Sequence, residues 1–148
     1  MPNTYTNLLL HSQQLKKLYY LQLDPVCTAY GLTKNEVDVL LFLANNAPYD
    51  TAKDIVELRG LSKSQVCKSV DLLSARGFLS ACHDEKDRRC IHLSLTSAAE
   101  PAVSAAQTAQ ANCLSLLYQN ITPAEKNMMD GVFAKIHQNL QEALSHAI

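Results

Sequence analysis

The stretch GLSKSQVCKSVDLLSARGFLSACHDEKDRRCIHLSLT, residues 60–96, decides the fold of this chain. Gly60 and Leu61 predict a short turn between a helix at about 51–59 and a helix at about 63–76 that begins after Ser62. Residues 90–95 alternate apolar and polar side chains, which predicts a half-buried strand. With residues 78–82 and a charged tip at 84–89, that strand completes a β-hairpin. Two helices joined by a glycine turn and followed by a hairpin predict a winged helix-turn-helix.

Helix signals lie on both sides of this stretch. They predict helices at about 4–23, 34–45, 98–119 and 123–146, and therefore a mainly α fold with one small β-hairpin. The first helix is expected to end at the Asp24-Pro25 pair, because proline removes a backbone N–H.

The sequence contains clear helix-capping patterns. Thr51 is a weak cap, and full capping boxes are predicted to begin at Thr33, Ser62, Ser97 and Thr122. Pro101 conflicts with Ser97 as a cap, so the fifth helix either begins near Glu100 or has a distorted first turn.

Length and composition limit the class of protein. The chain has 148 residues, of which 47% are apolar and 18% charged, which suits one folded domain spanning residues 1–148. No apolar run approaches the roughly 20 residues needed to cross a bilayer, so no membrane partner is expected. The five cysteines are scattered with no CxxC pair, and the first residues lack the basic region of a secretory signal, so a cytoplasmic location is expected.

Positive charge is concentrated in the winged helix-turn-helix segment. Residues 59–89 contain seven Lys or Arg and four Asp or Glu, which is a net charge of +3, whereas the rest of the chain has a net charge of −4. A cationic segment on an otherwise acidic chain is typical of a nucleic-acid contact.

The second helix of the motif has two distinct faces. At 100° per residue, Val66, Val70 and Leu73 share the inner face, and Ser64, Lys68, Asp71 and Ala75 lie opposite them. Short polar side chains and a lysine near a helix N-terminus suit the major groove, and the hairpin tip lies where a wing reaches the minor groove. The predicted DNA contacts are Ser62, Lys63, Ser64, Gln65, Cys67, Lys68, Lys86, Arg88 and Arg89.

Residues 31–96 resemble the MarR (multiple antibiotic resistance regulator) family. The resemblance is most specific in Asp84-Glu85-Lys86-Asp87-Arg88-Arg89, followed by Leu93-Ser94-Leu95-Thr96. The join after it, Thr96-Ser97-Ala98-Ala99, departs from the Thr-x-x-Gly of the family. The resemblance implies a homodimeric winged helix-turn-helix repressor without enzyme activity. It implies a helical dimerisation region at 1–30 and 98–148, a DNA-binding lobe at 31–96, and a wing stiffened by an ion pair, either Asp87 with Arg89 or Asp84 with Arg88.

A two-fold dimer requires a pseudo-palindromic double-stranded operator whose half-sites lie roughly 10 bp apart. Two other functions remain open. One is a DNA-free helical adaptor of the same fold, and the other is a small enzyme. The enzyme is the least favoured, because the histidines and carboxylates are scattered and no HExxH or GxSxG pattern occurs.

Three kinds of signal are considered for release from DNA. The family resemblance implies a small-molecule effector between the dimer helices and the DNA-binding lobe, with His11, Tyr19, Tyr30 and Cys113 as candidate lining residues or as ordinary core.

Oxidation is the second possible signal. Cys82 and Cys90 are expected nearly opposite each other on paired strands, within disulfide range, with neighbouring cations lowering the thiol pKa. Cys67 offers a competing site of oxidation on the reading helix.

Binding of a metal ion is the third signal considered for release from DNA. Cys82, His83, Cys90 and His92 carry ligand atoms, but Cys82 and His83 point to opposite faces of a strand, so at most three converge. No metal and no cofactor is expected.

Overall fold

The computed structural model describes residues 3–147. Six helices and one antiparallel hairpin follow in the order α1 Thr4–Tyr30, α2 Lys34–Asn45, α3 Ala52–Arg59, α4 Lys63–Ala75, β1 Leu79–His83, β2 Ile91–Leu95, α5 Glu100–Leu117 and α6 Pro123–His146. In the hairpin, Leu79 pairs with Leu95 and His83 pairs with Ile91. The predicted order of elements and the mainly α fold are confirmed. No helix among residues 3–147 is long and apolar enough to cross a membrane.

The predicted end of the first helix at Asp24-Pro25 is wrong. Helix α1 continues through Pro25 and ends at Tyr30, and it is capped by Gly31, whose φ of 63° is left-handed. Proline removes one N–H from the helix, but Leu23 and Val26 are buried around it. Burial of two apolar side chains, each worth about 1.5–3 kcal/mol, outweighs the lost hydrogen bond.

The caps are confirmed with one exception. Complete capping boxes begin at Thr33, Ser62 and Thr122, and Thr51 has one too, with Asp54 as its partner. The box at Ser97 is wrong, because residues 97–99 form a single 3₁₀ turn and α5 begins at Glu100. Pro101 is therefore the second residue of α5, where a helix has no partner for the backbone N–H.

The chain divides into two compact units, with the boundary between Cys113 and Leu114 inside α5. The first unit has one continuous core, which includes Leu23 of α1, Leu40 of α2, Ile55 of α3, Leu73 of α4 and Leu93 of β2. Helix α4 and the hairpin therefore rest on the same packed interior.

Candidate nucleic-acid interface

Helix α4 presents the two faces that the sequence predicts. Val66, Ser69 and Leu73 are buried against the core. Ser64, Lys68, Asp71 and Ala75 are exposed on the opposite side. The polar face of α4 is therefore available to a partner along its whole length.

The first turn of α4 is held by its own side chains. Ser62 Oγ accepts from the Gln65 backbone N–H at 3.2 Å, and Gln65 Oε1 accepts from the Ser62 N–H at 3.1 Å. Ser62 Oγ also lies 3.2 Å from Ser64 Oγ. Two of the predicted reading residues thus form the helix cap, which rigidly places the rest of the turn.

Two cations of the basic segment are part of the internal structure. Arg59 lies 3.1 Å from Asp38, whose side chain is fully buried. Arg76 donates to the carbonyls of Tyr30 and Gly31 at 2.8 and 2.9 Å, and thereby caps the end of α1. Both guanidinium groups are therefore already engaged by other groups of the protein.

The other five cations of the segment are exposed, and within residues 3–147 they form no ion pair: Lys63, Lys68, Lys86, Arg88 and Arg89. The first two lie on α4 and the other three at the hairpin tip. The structure brings the unpaired positive charge to the two elements that sequence reasoning selected.

The expected Asp–Arg ion pair in the wing is wrong. Asp84 Oδ2 accepts from the backbone N–H groups of Lys86 and Asp87, both at 3.0 Å, and Asp87 Oδ1 accepts from the Arg89 N–H at 3.0 Å. The carboxylates therefore shape the tip through its backbone. Among residues 3–147, neither the Arg88 nor the Arg89 guanidinium forms an ion pair.

A histidine that no sequence motif singled out for the wing holds the hairpin to the body of the lobe. His92 Nδ1 lies 2.7 Å from Asp50 Oδ1, and its Nε2 lies 2.9 Å from Asp84 Oδ1. The hydrogen bond with Asp50, and then that with Asp84, raises the pKa of His92. The pKa of Asp84 is lowered by the bond with His92 and by the backbone amides of Asp87 and Lys86.

The predicted geometry of the wing cysteines is wrong. Cys82 pairs with His92, and the Asp84 N–H donates to the Cys90 carbonyl at 2.9 Å, so Cys82 and Cys90 are diagonal rather than opposite. Diagonal positions are about 7–8 Å apart, beyond the reach of a disulfide without backbone movement.

The expected effect of the wing cations on thiol acidity is also wrong for Cys90. Its pKa is raised by desolvation and then by Asp84 and Asp87. No cluster of three or more His, Cys, Asp or Glu side chains suited to a metal occurs in residues 3–147. Both nitrogens of His92 already face carboxylates.

The four candidate effector residues do not line one pocket. Because α1 is continuous, His11 and Tyr30 lie nineteen positions apart along the helix, or about 28 Å. His11 is exposed on α1, and Cys113 is buried in α5. Tyr19 lines a groove on the surface of the first unit. That groove has a volume of about 450 Å³, and its lining residues are Ser12, Leu15, Lys16, Tyr19, Tyr20 and Arg59.

A buried polar network lies behind this groove. The Tyr20 hydroxyl donates to Asp38 Oδ2 at 2.7 Å, and Arg59 Nη2 donates to Asp38 Oδ1 at 3.1 Å. Burial, and then the hydrogen bond with Asp38, raises the pKa of Tyr20 to about 12. Burial opposes the charge of Arg59, but Asp38 outweighs it, so the pKa of Arg59 is raised. The network joins α1 and α2 to the last residue of α3, directly before the Gly60 turn.

Comparisons with known proteins agree on one relationship. Residues 30–89 match the model of the MarR family. The transcriptional repressor MprA of Escherichia coli K12 is 28% identical over 83 residues, which is 56% of this chain and 47% of MprA. The chain thus spans about half the length of the curated relatives it matches.

Solved structures show the same fold. A MarR-family regulator from Silicibacter pomeroyi superposes with a TM-score of 0.76 at 20% identity, covering 86% of both chains. CouR from Rhodococcus jostii RHA1, crystallised with p-coumaroyl-CoA, superposes with a TM-score of 0.72 at 21% identity, covering 90% of this chain and 92% of CouR.

Proposed function

We propose that this chain, whose residues 30–89 match the model of the MarR family, is a homodimeric transcriptional repressor that binds a pseudo-palindromic site in double-stranded DNA. The observation that carries the proposal is the division of the basic segment. Two of its arginines are engaged by other groups of the protein, and the other five cations are exposed and unpaired within residues 3–147. Those five lie on α4 and the wing tip. Contact with genomic DNA also implies a cytoplasmic location.

The two elements have different roles in DNA binding. The first turns of α4 enter the major groove, where Ser64, Lys68 and the amide nitrogen of Gln65 reach base edges and Lys63 contacts a phosphate. Cys67 lies beside them on the exposed surface of α4. The wing tip carries Lys86, Arg88 and Arg89 toward the adjacent minor groove, where positive charge is favoured.

Each compact unit has apolar surface that a second copy would cover. In the first unit, Tyr5 and Leu8 of α1 are 74% and 61% exposed. In the second unit, α6 has no buried residue, and its exposed apolar side chains recur at helical spacing: Met128, Val132, Phe133, Ile136, Leu140 and Leu144. Apolar surface of this kind marks an interface. Analytical ultracentrifugation at micromolar concentration tests it, and a monomer would refute the dimer.

In vitro selection from a random-sequence duplex library tests DNA recognition. We expect an enriched two-fold symmetric sequence with half-sites roughly 10 bp apart. A shuffled duplex of the same composition is the control for sequence-independent binding. If no sequence is enriched and no duplex binds, the chain is a DNA-free adaptor. Equal binding to the selected and the shuffled duplex would show sequence-independent contact, and the proposal fails in either case.

The groove beside Tyr19 supports a second part of the proposal, an anionic aromatic effector. Lys16 and Arg59 supply positive charge, Tyr19 and Tyr20 supply aromatic faces, and Leu15 supplies apolar surface. An anion that draws Arg59 away from Asp38 would disturb the residue directly before the Gly60 turn and α4. The neighbour CouR was crystallised with an aromatic acyl-CoA, which favours ligands of this class.

Thermal-shift and calorimetric titration with aromatic carboxylates tests this effector. Binding that weakens in Lys16→Gln and that releases selected DNA supports the proposal. Binding that is unchanged in Lys16→Gln, or that leaves DNA affinity unaltered, refutes it. Lys53→Gln is a suitable control, because Lys53 is an exposed lysine on α3 outside the groove.

A further inference from the structure

The two contacts of His92 constrain its protonation state. Both partners are carboxylate oxygens, at 2.7 Å from Nδ1 and 2.9 Å from Nε2. A carboxylate only accepts hydrogen bonds, and a neutral imidazole has a single N–H to donate. Both bonds exist together only when His92 is an imidazolium.

The bridge connects the body of the lobe to the wing tip. Asp50 directly precedes Thr51, the cap of α3, and its carbonyl accepts from the Leu93 N–H at 2.8 Å. Asp84 begins the tip, and its second oxygen accepts from the Lys86 and Asp87 amides. His92 is thus the side chain through which the tip is fastened to the loop before α3.

Negative charge predominates around the imidazole. From the α3 side, Asp54 accepts from the amides of Asp50 and Thr51. From β1, Cys82 pairs with His92 in the ladder, and His83 lies beside it with Nδ1 2.8 Å from the Arg88 carbonyl. The remaining titratable or charged groups lie on the hairpin tip or directly before β2: Glu85, Lys86, Asp87, Arg88, Arg89 and Cys90.

We propose that His92 is a positioning residue for the wing, and that DNA affinity falls when the bridge from Asp50 to Asp84 loses its proton. The inference rests on the proposed function, because it requires the wing to contact DNA. The bridge is complete below about pH 6.5, the ordinary pKa of histidine, and is lost as the pH rises through the raised pKa of His92. DNA phosphates near the tip further favour the imidazolium, so binding is accompanied by proton uptake at His92. Affinity therefore decreases as the pH rises.

Fluorescence anisotropy with the selected duplex, from pH 6.0 to 8.5 at constant ionic strength, measures this coupling. Because binding takes up a proton on His92 in each of two protomers, we expect Kd to increase about tenfold across this range. In His92→Gln, which does not titrate, we expect a flat profile near the high-pH Kd of the wild type. Asp50→Asn removes one carboxylate and should move the transition to lower pH.

His83→Gln is the matched control. Its single contact is with a carbonyl oxygen, which a neutral imidazole satisfies, so this variant should keep the pH dependence of the wild type. Equal pH dependence in the wild type and His92→Gln would overturn the proposal.

An NMR titration of the His92 ring in the DNA-free protein is independent of the DNA assay. We expect a midpoint above the ordinary value that falls in Asp50→Asn, and a midpoint at or below the ordinary value would overturn the bridge. If no duplex binds at any pH while the ring titrates as expected, the proposed function fails. The DNA coupling then fails with it, but the bridge itself stands.

Discussion

Removal of the wing arginines should reduce the salt dependence of DNA binding. Lys63, Lys68, Lys86, Arg88 and Arg89 are the exposed, unpaired cations of the interface. Lys68 is assigned to a base edge, so if each of the other four contacts one phosphate, a dimer makes eight such contacts, and log K falls against log salt with a slope of about −7.2. Replacing both arginines by glutamine removes four of these contacts. The slope then changes by about 3.6, to about −3.6.

The same contacts determine the loss of affinity. Relative to 1 M salt, where released counterions contribute little, four lost contacts weaken binding at 0.15 M by about a thousandfold, and Arg88→Gln alone by about thirtyfold. The tip should keep its shape, because the side chains of Arg88 and Arg89 form none of its hydrogen bonds. Those bonds use the Arg89 backbone N–H and the Arg88 carbonyl.

Anisotropy titrations with the selected duplex at 50–300 mM KCl measure both quantities. Lys135→Gln is the control, because it removes an exposed charge from α6 in the second unit. We expect this variant to keep the slope of the wild type. If the double arginine variant also keeps that slope, the wing does not contact phosphate and the assignment of the interface is refuted.

Three further predictions follow from particular side chains. Lys68→Ala should weaken binding to the selected duplex by about 1–3 kcal/mol and relax its sequence preference, whereas Lys135→Ala should do neither; equal losses would disprove the reading face. Asp38→Ala should lower the free energy of unfolding in urea by about 2–3 kcal/mol, because it leaves the half-buried guanidinium of Arg59 without its counter-charge. An unchanged urea midpoint would show that the network of Tyr20, Asp38 and Arg59 is dispensable for stability. After treatment with diamide, peptide mass spectrometry should find no disulfide between Cys82 and Cys90, and a prompt, quantitative bond would contradict the hairpin register.

Local signals were sufficient for most of the fold. A capping box at Ser62 or Thr122 is contained in four residues, and the alternation in β2 in five. Such short patterns act through the backbone of their own segment. They can therefore be interpreted without knowing which other segments of the chain pack against them. The prediction that the first helix ends at Pro25 shows where local signals fail. Its local signal is a helix stop, but the burial of Leu23 and Val26 keeps α1 intact.

The candidate site was only partly predictable. The outward face of α4 and the charged tip follow from periodicity and charge, and both are confirmed as exposed. Which cations are available did not follow, because seven look alike in the sequence. Arg59 meets Asp38 across 21 residues and Arg76 meets Tyr30 across 46, and no local pattern encodes such pairings.

The sequence by itself determined most of the elements, their order and the two exposed surfaces that are proposed to contact DNA, because propensity, capping and periodicity act over a few neighbouring residues. Only the tertiary structure decided how the wing is held. His92 meets Asp50 across 42 residues, and the register of the hairpin places Cys82 rather than Cys90 opposite that histidine. Contacts at such separations depend on how the elements pack, which is set by the burial of the whole core and not by any one segment.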